Sequence, residues 1–141
     1  MIDKVLRDLR SDNYKLAIIS NFYERLNSII HNLKLSNFFE FIIIPSNSNG
    51  HAKPSETIFQ LAKEQVYQIY GTPEKHEFLH IGDNIELDYR ASRRCGFKSI
   101  LMCHENVKET INSLDKSDEI RIGKNYATNL LNLKKKIVHK F

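Results

Sequence analysis

The strongest constraint on the fold is an alternation of short apolar runs with segments of helical period. The runs are apolar almost throughout, which is typical of strands buried on both faces of a parallel sheet. They are KLAIISN at 15–21, FFEFIIIP at 38–45, EFLHIG at 77–82 and FKSILM at 97–102. This order predicts an α/β, Rossmann-like three-layer fold in which helices cover a parallel sheet.

Helical segments precede and follow these runs. Apolar positions three and four residues apart predict helices at 2–10 and 23–34, and another after Pro54, with Ser55 as its N-cap. A helix after the third strand should end at Gly96. Further helices are expected at 105–114 and 127–138, with EIRIG at 119–123 as a short edge strand. We find no internal repeat or linker, so residues 1–141 are expected to form one domain.

Composition and charge exclude several classes of protein. Hydrophobic residues make up 41% of the 141 residues and charged residues 27%, as in globular domains. No apolar run approaches a membrane span, and the first residues lack a signal-peptide core, so we expect a cytoplasmic protein without a membrane partner. Cys95 and Cys103 have no metal-ligand spacing. Because no aromatic residues interleave with the C-terminal lysines, a nucleic-acid partner is not expected.

Polar side chains follow the apolar runs at three places: Ser20 with Asn21, Lys53, and Asp83 with Asp88. Each has an ordinary structural interpretation. Ser20 would be the N-cap of the helix at 23, and Lys53 a solvated loop lysine. Asp83 would cap the helix that starts near residue 85, and Asp88 would complement the dipole of that helix.

Taken together, the same residues suit one chemical task. A hydroxyl and free amides at a helix start bind phosphate oxygens, and a lysine adds a compact positive charge. Two carboxylates at the end of a neighbouring strand can hold Mg²⁺, which accepts oxygen ligands and keeps several waters. In parallel sheets, functional groups gather beyond the carboxyl ends of the strands. The sequence therefore predicts a pocket for a phosphate and a Mg²⁺ ion.

Three stretches, in order and spacing, resemble motifs of a known family. LAIISN, HAKPSETIFQLA and FLHIGDNIELDYRASRRCGFKSIL are similar to the second, third and fourth motifs of the haloacid dehalogenase-like hydrolases. The resemblance implies that Ser20 binds the transferring phosphoryl group, with Asn21 beside it, and that Lys53 neutralises the phosphoryl charge. It also implies that Asp83 ligates Mg²⁺ directly and that Asp88 supports the metal through water or by orienting its neighbours.

The resemblance also selects between the two chemistries of the family. Members that displace halide need no metal and lack the acid pair that follows the glycine of the fourth motif. Gly82 followed by Asp83, with Asp88 beyond, therefore implies a Mg²⁺-dependent phosphatase. The substrate would be a small phosphorylated metabolite, whose identity in this family depends largely on the cap domain.

The first motif of the family, D-x-D-x-[TV], is absent from this sequence. Its first aspartate attacks phosphorus and its second acts as acid and base. Asp83 and Asp88 are not available as nucleophiles if both serve the metal. The remaining aspartates have no apolar strand before them: Asp3, Asp8, Asp12, Asp115 and Asp118. The chain is thus expected to be a partial core without a nucleophile, and without the cap.

The missing motif also removes the central strand of the family's sheet. That strand lies between the strands at 15–19 and 77–81, so the gap must be closed by direct pairing, by a partner or by a further segment. Two hypotheses follow: a truncated Mg²⁺-dependent phosphatase, inactive alone, or a non-catalytic phosphate- and Mg²⁺-binding or scaffold module. A phosphoacceptor receiver does not fit, because receivers place their acidic residues before the hydroxyl and lysine positions.

Overall fold

A computed structural model describes residues 1–71, 76–103 and 126–140 of the chain. The chain divides into two compact units, Met1–His76 and Glu77–Phe141, and each is described by itself below. Both units contain helices and parallel strands, so the α/β fold class is confirmed. The expectation of one domain stays a prediction.

The first unit has two short parallel strands among three helices. Its elements, in chain order, are α1 (Ile2–Ser11), β1 (Ile18–Ile19), α2 (Arg25–Asn32), β2 (Ile42–Ile43) and α3 (Glu56–Tyr70). Ile18 is in register with Ile42, and Ile19 with Ile43. Backbone hydrogen bonds continue the ladder on both sides, because Glu40 N–H donates to Leu16 and Ser20 N–H donates to Ile43.

Helix α3 packs against both strands of the first unit. It buries Ile58, Phe59 and Ala62, which lie on one face of the helix at the spacing that the sequence predicts. The Ser55 hydroxyl accepts a hydrogen bond from Thr57 N–H at 3.3 Å, so the predicted N-cap is confirmed. The cap and the buried face together place the start of α3 just after Lys53.

The second unit contains a three-stranded parallel sheet in the order β3-β4-β5. Its elements are β3 (Leu79–Gly82), a π-helical turn (Ile85–Arg90), α4 (Ala91–Arg94), β4 (Lys98–Met102), β5 (Tyr126–Ala127) and α5 (Leu130–Lys140). Among the described residues the strands form two sheets, β1-β2 in the first unit and β3-β4-β5 in the second.

The core of the second unit contains Tyr89, Leu101, Cys103 and Tyr126, all buried. The Tyr126 hydroxyl makes no hydrogen bond of ordinary geometry with the described residues. Burial, and secondarily the neighbouring Cys103 thiol, raises the pKa of Tyr126 to about 12. The phenol therefore stays neutral in the folded protein well into the alkaline range.

Several sequence predictions differ from the structure in their boundaries. The strands are shorter than the apolar runs, since β1 and β2 each comprise two residues. The last helix begins at Leu130, and β5 precedes it where the sequence predicted helix. The expected helix at 105–114 and the edge strand at 119–123 lie outside the described residues. No helix within the described ranges is long and apolar enough to cross a bilayer; the cytoplasmic location stays a prediction.

Candidate functional site

Ser20 and Asn21 follow β1 directly. The Ser20 hydroxyl accepts a hydrogen bond from Phe22 N–H at 3.1 Å, which forms a tight turn at the carboxyl end of the strand. Helix α2 begins only at Arg25, and no side chain caps its N-terminus. The interpretation of Ser20 as the N-cap of that helix is therefore wrong, and the half-buried hydroxyl lies in the turn beyond the strand.

Asn21 joins this turn to the loop that carries Lys53. The Asn21 carboxamide nitrogen donates to the Lys53 carbonyl at 2.9 Å, and the carboxamide oxygen accepts from Lys53 N–H at 2.7 Å. One side chain thus satisfies both main-chain groups of a residue 32 positions away. The structure brings the Ser20-Asn21 turn and Lys53 together, as the sequence predicts for a phosphate site.

The loop before Lys53 is fixed by a buried serine. The Ser48 hydroxyl lies 2.8 Å from the Ile44 carbonyl and 2.9 Å from the His51 carbonyl. Since Ile44 follows β2, these contacts fasten the loop to the end of the second strand. Lys53 itself is half-buried.

Asp83 and Asn84 form the turn that follows β3 in the second unit. The Asn84 carboxamide oxygen accepts hydrogen bonds from Glu86 N–H at 3.0 Å and Leu87 N–H at 2.8 Å. Asn84 is therefore the N-cap of the π-helical turn, and the interpretation of Asp83 as the cap is wrong. Asp83 is exposed, so its carboxylate faces solvent at the carboxyl end of the strand.

Asp88 lies beneath that turn and is only 4% exposed. One carboxylate oxygen is 3.0 Å from Nε2 of His80, and the other accepts a hydrogen bond from Asn84 N–H at 3.1 Å. The π-helical turn makes this possible, because Tyr89 N–H bonds back to the Asn84 carbonyl five residues earlier. The wide turn directs Asp88 toward the end of β3.

Gly82 leaves the space that the Asp88 carboxylate fills. A Cβ atom at position 82 would lie 2.2 Å from Asp88 Cγ and 2.5 Å from Asp88 Oδ2. The glycine before Asp83 is thus explained by packing against the second carboxylate. His80 is buried, and sequence reasoning missed its contact with Asp88 and the capping role of Asn84.

The donor groups of the second unit suit Mg²⁺ more than a transition metal. No cluster of three or more histidine, cysteine or acidic side chains that could hold a metal occurs in the described ranges. Mg²⁺ needs fewer protein ligands, because it keeps several waters and takes one or two carboxylates together with substrate phosphate oxygens. The exposed Asp83 carboxylate fits that requirement.

Comparison with models of known protein families shows to which family the chain belongs. Residues 1–96 match the model of the haloacid dehalogenase-like hydrolases. The chain belongs to this family. Within it, the chain is 35% identical over 100 residues to the human haloacid dehalogenase-like hydrolase domain-containing protein 3, an alignment that covers 71% of the chain and 38% of that relative. The resemblance to the haloacid dehalogenase-like hydrolases that the sequence motifs indicated is thus confirmed.

Solved haloacid dehalogenase (HAD) structures share the fold. A HAD phosphatase from Thermococcus onnurineus superposes with a TM-score of 0.71 at 20% identity, covering 96% of the chain and 55% of that protein. The HAD-hydrolase YfnB of Bacillus subtilis, bound to magnesium, gives a TM-score of 0.66 at 19% identity, covering 94% of the chain and 51% of YfnB. The chain thus spans about half of these structures and less than half of the human relative.

Proposed function

We propose that this HAD-like chain contributes phosphate-binding groups and a metal ligand to Mg²⁺-dependent hydrolysis of phosphate esters. The proposed substrate is a small phosphorylated metabolite. A phosphatase and a magnesium-bound hydrolase among the proteins of the same fold support this assignment. The residues of each unit support it independently.

The observation that carries the proposal is the double hydrogen bond between Asn21 and the main chain of Lys53. It holds a strand-end hydroxyl and a lysine in the same part of the first unit. A serine hydroxyl can donate to a phosphate oxygen, and an ammonium group offsets phosphate charge at close range. We assign Ser20 and Lys53 these two roles, and we assign Asn21 the task of holding Lys53 in place.

In the second unit we assign Asp83 to Mg²⁺. When bound, the ion would neutralise charge on phosphate oxygens and act as a Lewis acid. The exposure of Asp83, at a turn fixed by Asn84 and Asp88, supports this role. The second carboxylate of the pair, Asp88, is considered further below.

The sequence contains no D-x-D-x-[TV] motif to supply an attacking carboxylate. We therefore propose that this chain alone does not turn over phosphate esters. The alternative function, a non-catalytic phosphate- and Mg²⁺-binding or scaffold module, is favoured by the same observation. The transcript upstream of the Met1 codon distinguishes the two: an open frame that encodes the motif supports the hydrolase, and an in-frame stop codon supports the module.

The binding part of the proposal is tested by calorimetric titration of the chain with inorganic phosphate, with and without Mg²⁺. Replacing Lys53 by Met should weaken phosphate binding roughly tenfold or more, because hydrogen bonds to charged groups contribute about 1.5–3 kcal/mol. Lys4→Met is the matched control, since Lys4 is an exposed lysine of α1 in the same unit. Equal affinities of the two variants would refute the role of Lys53.

The metal part uses Asp83→Asn, with Asp12→Asn as the matched exposed carboxylate. We expect Mg²⁺ binding to be lost in the first variant and kept in the second. Hydrolysis of p-nitrophenyl phosphate should stay at the background rate for every variant. Metal-dependent hydrolysis by the unmodified chain that disappears in Asp83→Asn would overturn the proposal that the chain is inactive alone.

A further inference from the structure

We infer that Asp88 is a positioning residue, held by His80, that fixes the turn from which Asp83 reaches the metal, and that Asp88 is not itself a metal ligand. The inference rests on the proposed function, because it concerns the same Mg²⁺ site. It chooses between the two roles that the sequence left open for Asp88, support through water and orientation of its neighbours. It also adds His80 to the residues on which the site depends.

The first argument is the burial of the Asp88 carboxylate, each of whose oxygens has a partner within the protein. One oxygen contacts His80 Nε2 at 3.0 Å and the other accepts from Asn84 N–H at 3.1 Å. The two side chains of the pair are 10% exposed for His80 and 5% for Asp88. A Mg²⁺ ion that keeps several waters needs an open hydrated face, which so buried a carboxylate does not provide.

The second argument concerns the direction of the hydrogen bonds. The contact joins a carboxylate oxygen of Asp88 to Nε2 of His80, and an ionised carboxylate would accept a hydrogen bond from the Nε2–H tautomer. His80 is in turn fixed by the strand, because Ser99 Oγ on β4 donates to its carbonyl at 3.3 Å. The connection therefore runs from the sheet through His80 and Asp88 to the main chain of Asn84.

The third argument is the position of Asp83 between two fixed residues. Gly82 before it packs against Asp88, so closely that a methyl group has no room. Asn84 after it is held through its main-chain N–H by Asp88 and through its side chain by the amides of residues 86 and 87. The backbone on both sides of Asp83 is thus fixed, while its own side chain is exposed.

Groups that orient a metal ligand typically change metal affinity 10- to 100-fold when they are removed. The test compares His80→Leu, which fills the space but removes the donor, with His80→Gln, which keeps an N–H donor on a side chain of similar reach. Mg²⁺ affinity should fall about tenfold in the leucine variant, and the glutamine variant should recover most of it. Equal affinities in the unmodified chain and His80→Leu would overturn the inference.

A spectroscopic measurement separates a positioning role from ligation. Mn²⁺ bound in place of Mg²⁺ is examined by paramagnetic resonance in ¹⁷O-enriched water, which counts the waters on the ion. Asp88→Asn should bind Mn²⁺ more weakly but with the same number of waters as the unmodified chain. One additional water on the ion in Asp88→Asn would show that Asp88 is a ligand and would overturn the inference.

Amide hydrogen exchange decides the inference even if the chain binds no metal. The Asn84 N–H should exchange slowly in the unmodified chain and in His80→Gln, and much faster in His80→Leu and Asp88→Ala. If the unmodified chain binds no metal, the proposed function is refuted but the positioning role is not. Unchanged exchange at Asn84 in both His80→Leu and Asp88→Ala would refute the positioning role, whatever the chain binds.

Discussion

Gly82→Ala is the substitution for which the structure gives the clearest steric expectation. The new Cβ would lie 2.2 Å from Asp88 Cγ and 2.5 Å from both Asp88 Cβ and Asp88 Oδ2. Carbon atoms in contact prefer about 3.5–4.0 Å, so the Asp88 side chain must move by more than about 1 Å. Gly82 is the last residue of β3 and has no positive φ angle. The cost therefore comes from the collision and not from backbone strain.

The magnitude follows from what the displacement of Asp88 breaks. Overpacking of a buried site costs about 1–3 kcal/mol. Loss of the contact between Asp88 and His80 and of the hydrogen bond that Asp88 accepts from Asn84 N–H adds on the order of 1–3 kcal/mol, because water replaces part of each contact. We expect the free energy of unfolding to fall by about 2–6 kcal/mol, and the melting temperature to fall by roughly 8–24 °C for a chain of this size.

Urea unfolding followed by circular dichroism measures this loss, and a double-mutant cycle with Asp88→Ala identifies its cause. The alanine at position 88 removes Cγ and Oδ2 and leaves only the Cβ contact, so Gly82→Ala should cost less than half as much in that background. An equal cost with and without the Asp88 carboxylate would refute the assignment of the collision to that carboxylate. The single variants are compared at one Mg²⁺ concentration, so that metal binding does not alter the comparison.

Two further predictions concern single side chains. Asn21→Ala should lower the free energy of unfolding by about 1–2 kcal/mol and weaken phosphate binding, because both hydrogen bonds to the Lys53 main chain are lost. Thermal melting measures the loss of stability, and calorimetry measures the phosphate affinity. Unchanged phosphate affinity would contradict the prediction. Tyr126→Phe should be at least as stable as the unmodified chain at neutral pH, because it removes a buried hydroxyl that makes no ordinary hydrogen bond with the described residues. The raised pKa of about 12 means that, between pH 10 and pH 12, the unfolded chain binds fewer protons than the folded chain. Tyr126 thus lowers stability with rising pH by at most about 1.4 kcal/mol per pH unit, and denaturant titrations across this range should show a smaller decline for Tyr126→Phe. An identical decline in both proteins would show that Tyr126 ionises normally in the folded state.

The sequence predicted the class of fold better than the extent of its strands. Apolar runs report burial, and a chain can be buried where no ladder of hydrogen bonds forms. This explains why the run at 38–45 yields only Ile42–Ile43 as β2. Tyr126–Ala127 was missed as β5 because two residues carry no periodic pattern, and the adjacent helical period masked them.

The candidate site shows the same limit at the level of single residues. Aspartate and asparagine cap helices equally well, so the sequence could not choose between Asp83 and Asn84, and the structure shows that Asn84 caps. A signal for the His80 contact was present, since residues two apart in a strand share a face. That rule places His80 on the face of the strand where Asp88 packs against Gly82. The rule does not predict that the π-helical turn returns the Asp88 carboxylate to within 3.0 Å of His80 Nε2.

Because Asn21 binds the main chain of Lys53, the position of the backbone at residue 53 does not depend on the identity of its side chain. Asn21 holds the N–H and the carbonyl, groups that every amino acid except proline possesses. Position 53 should therefore accept an acetylated or azide-bearing side chain while the loop keeps its course. A reporter group introduced at position 53 would respond directly to phosphate binding in the first unit, and the side chain could be replaced there without changing the course of the loop.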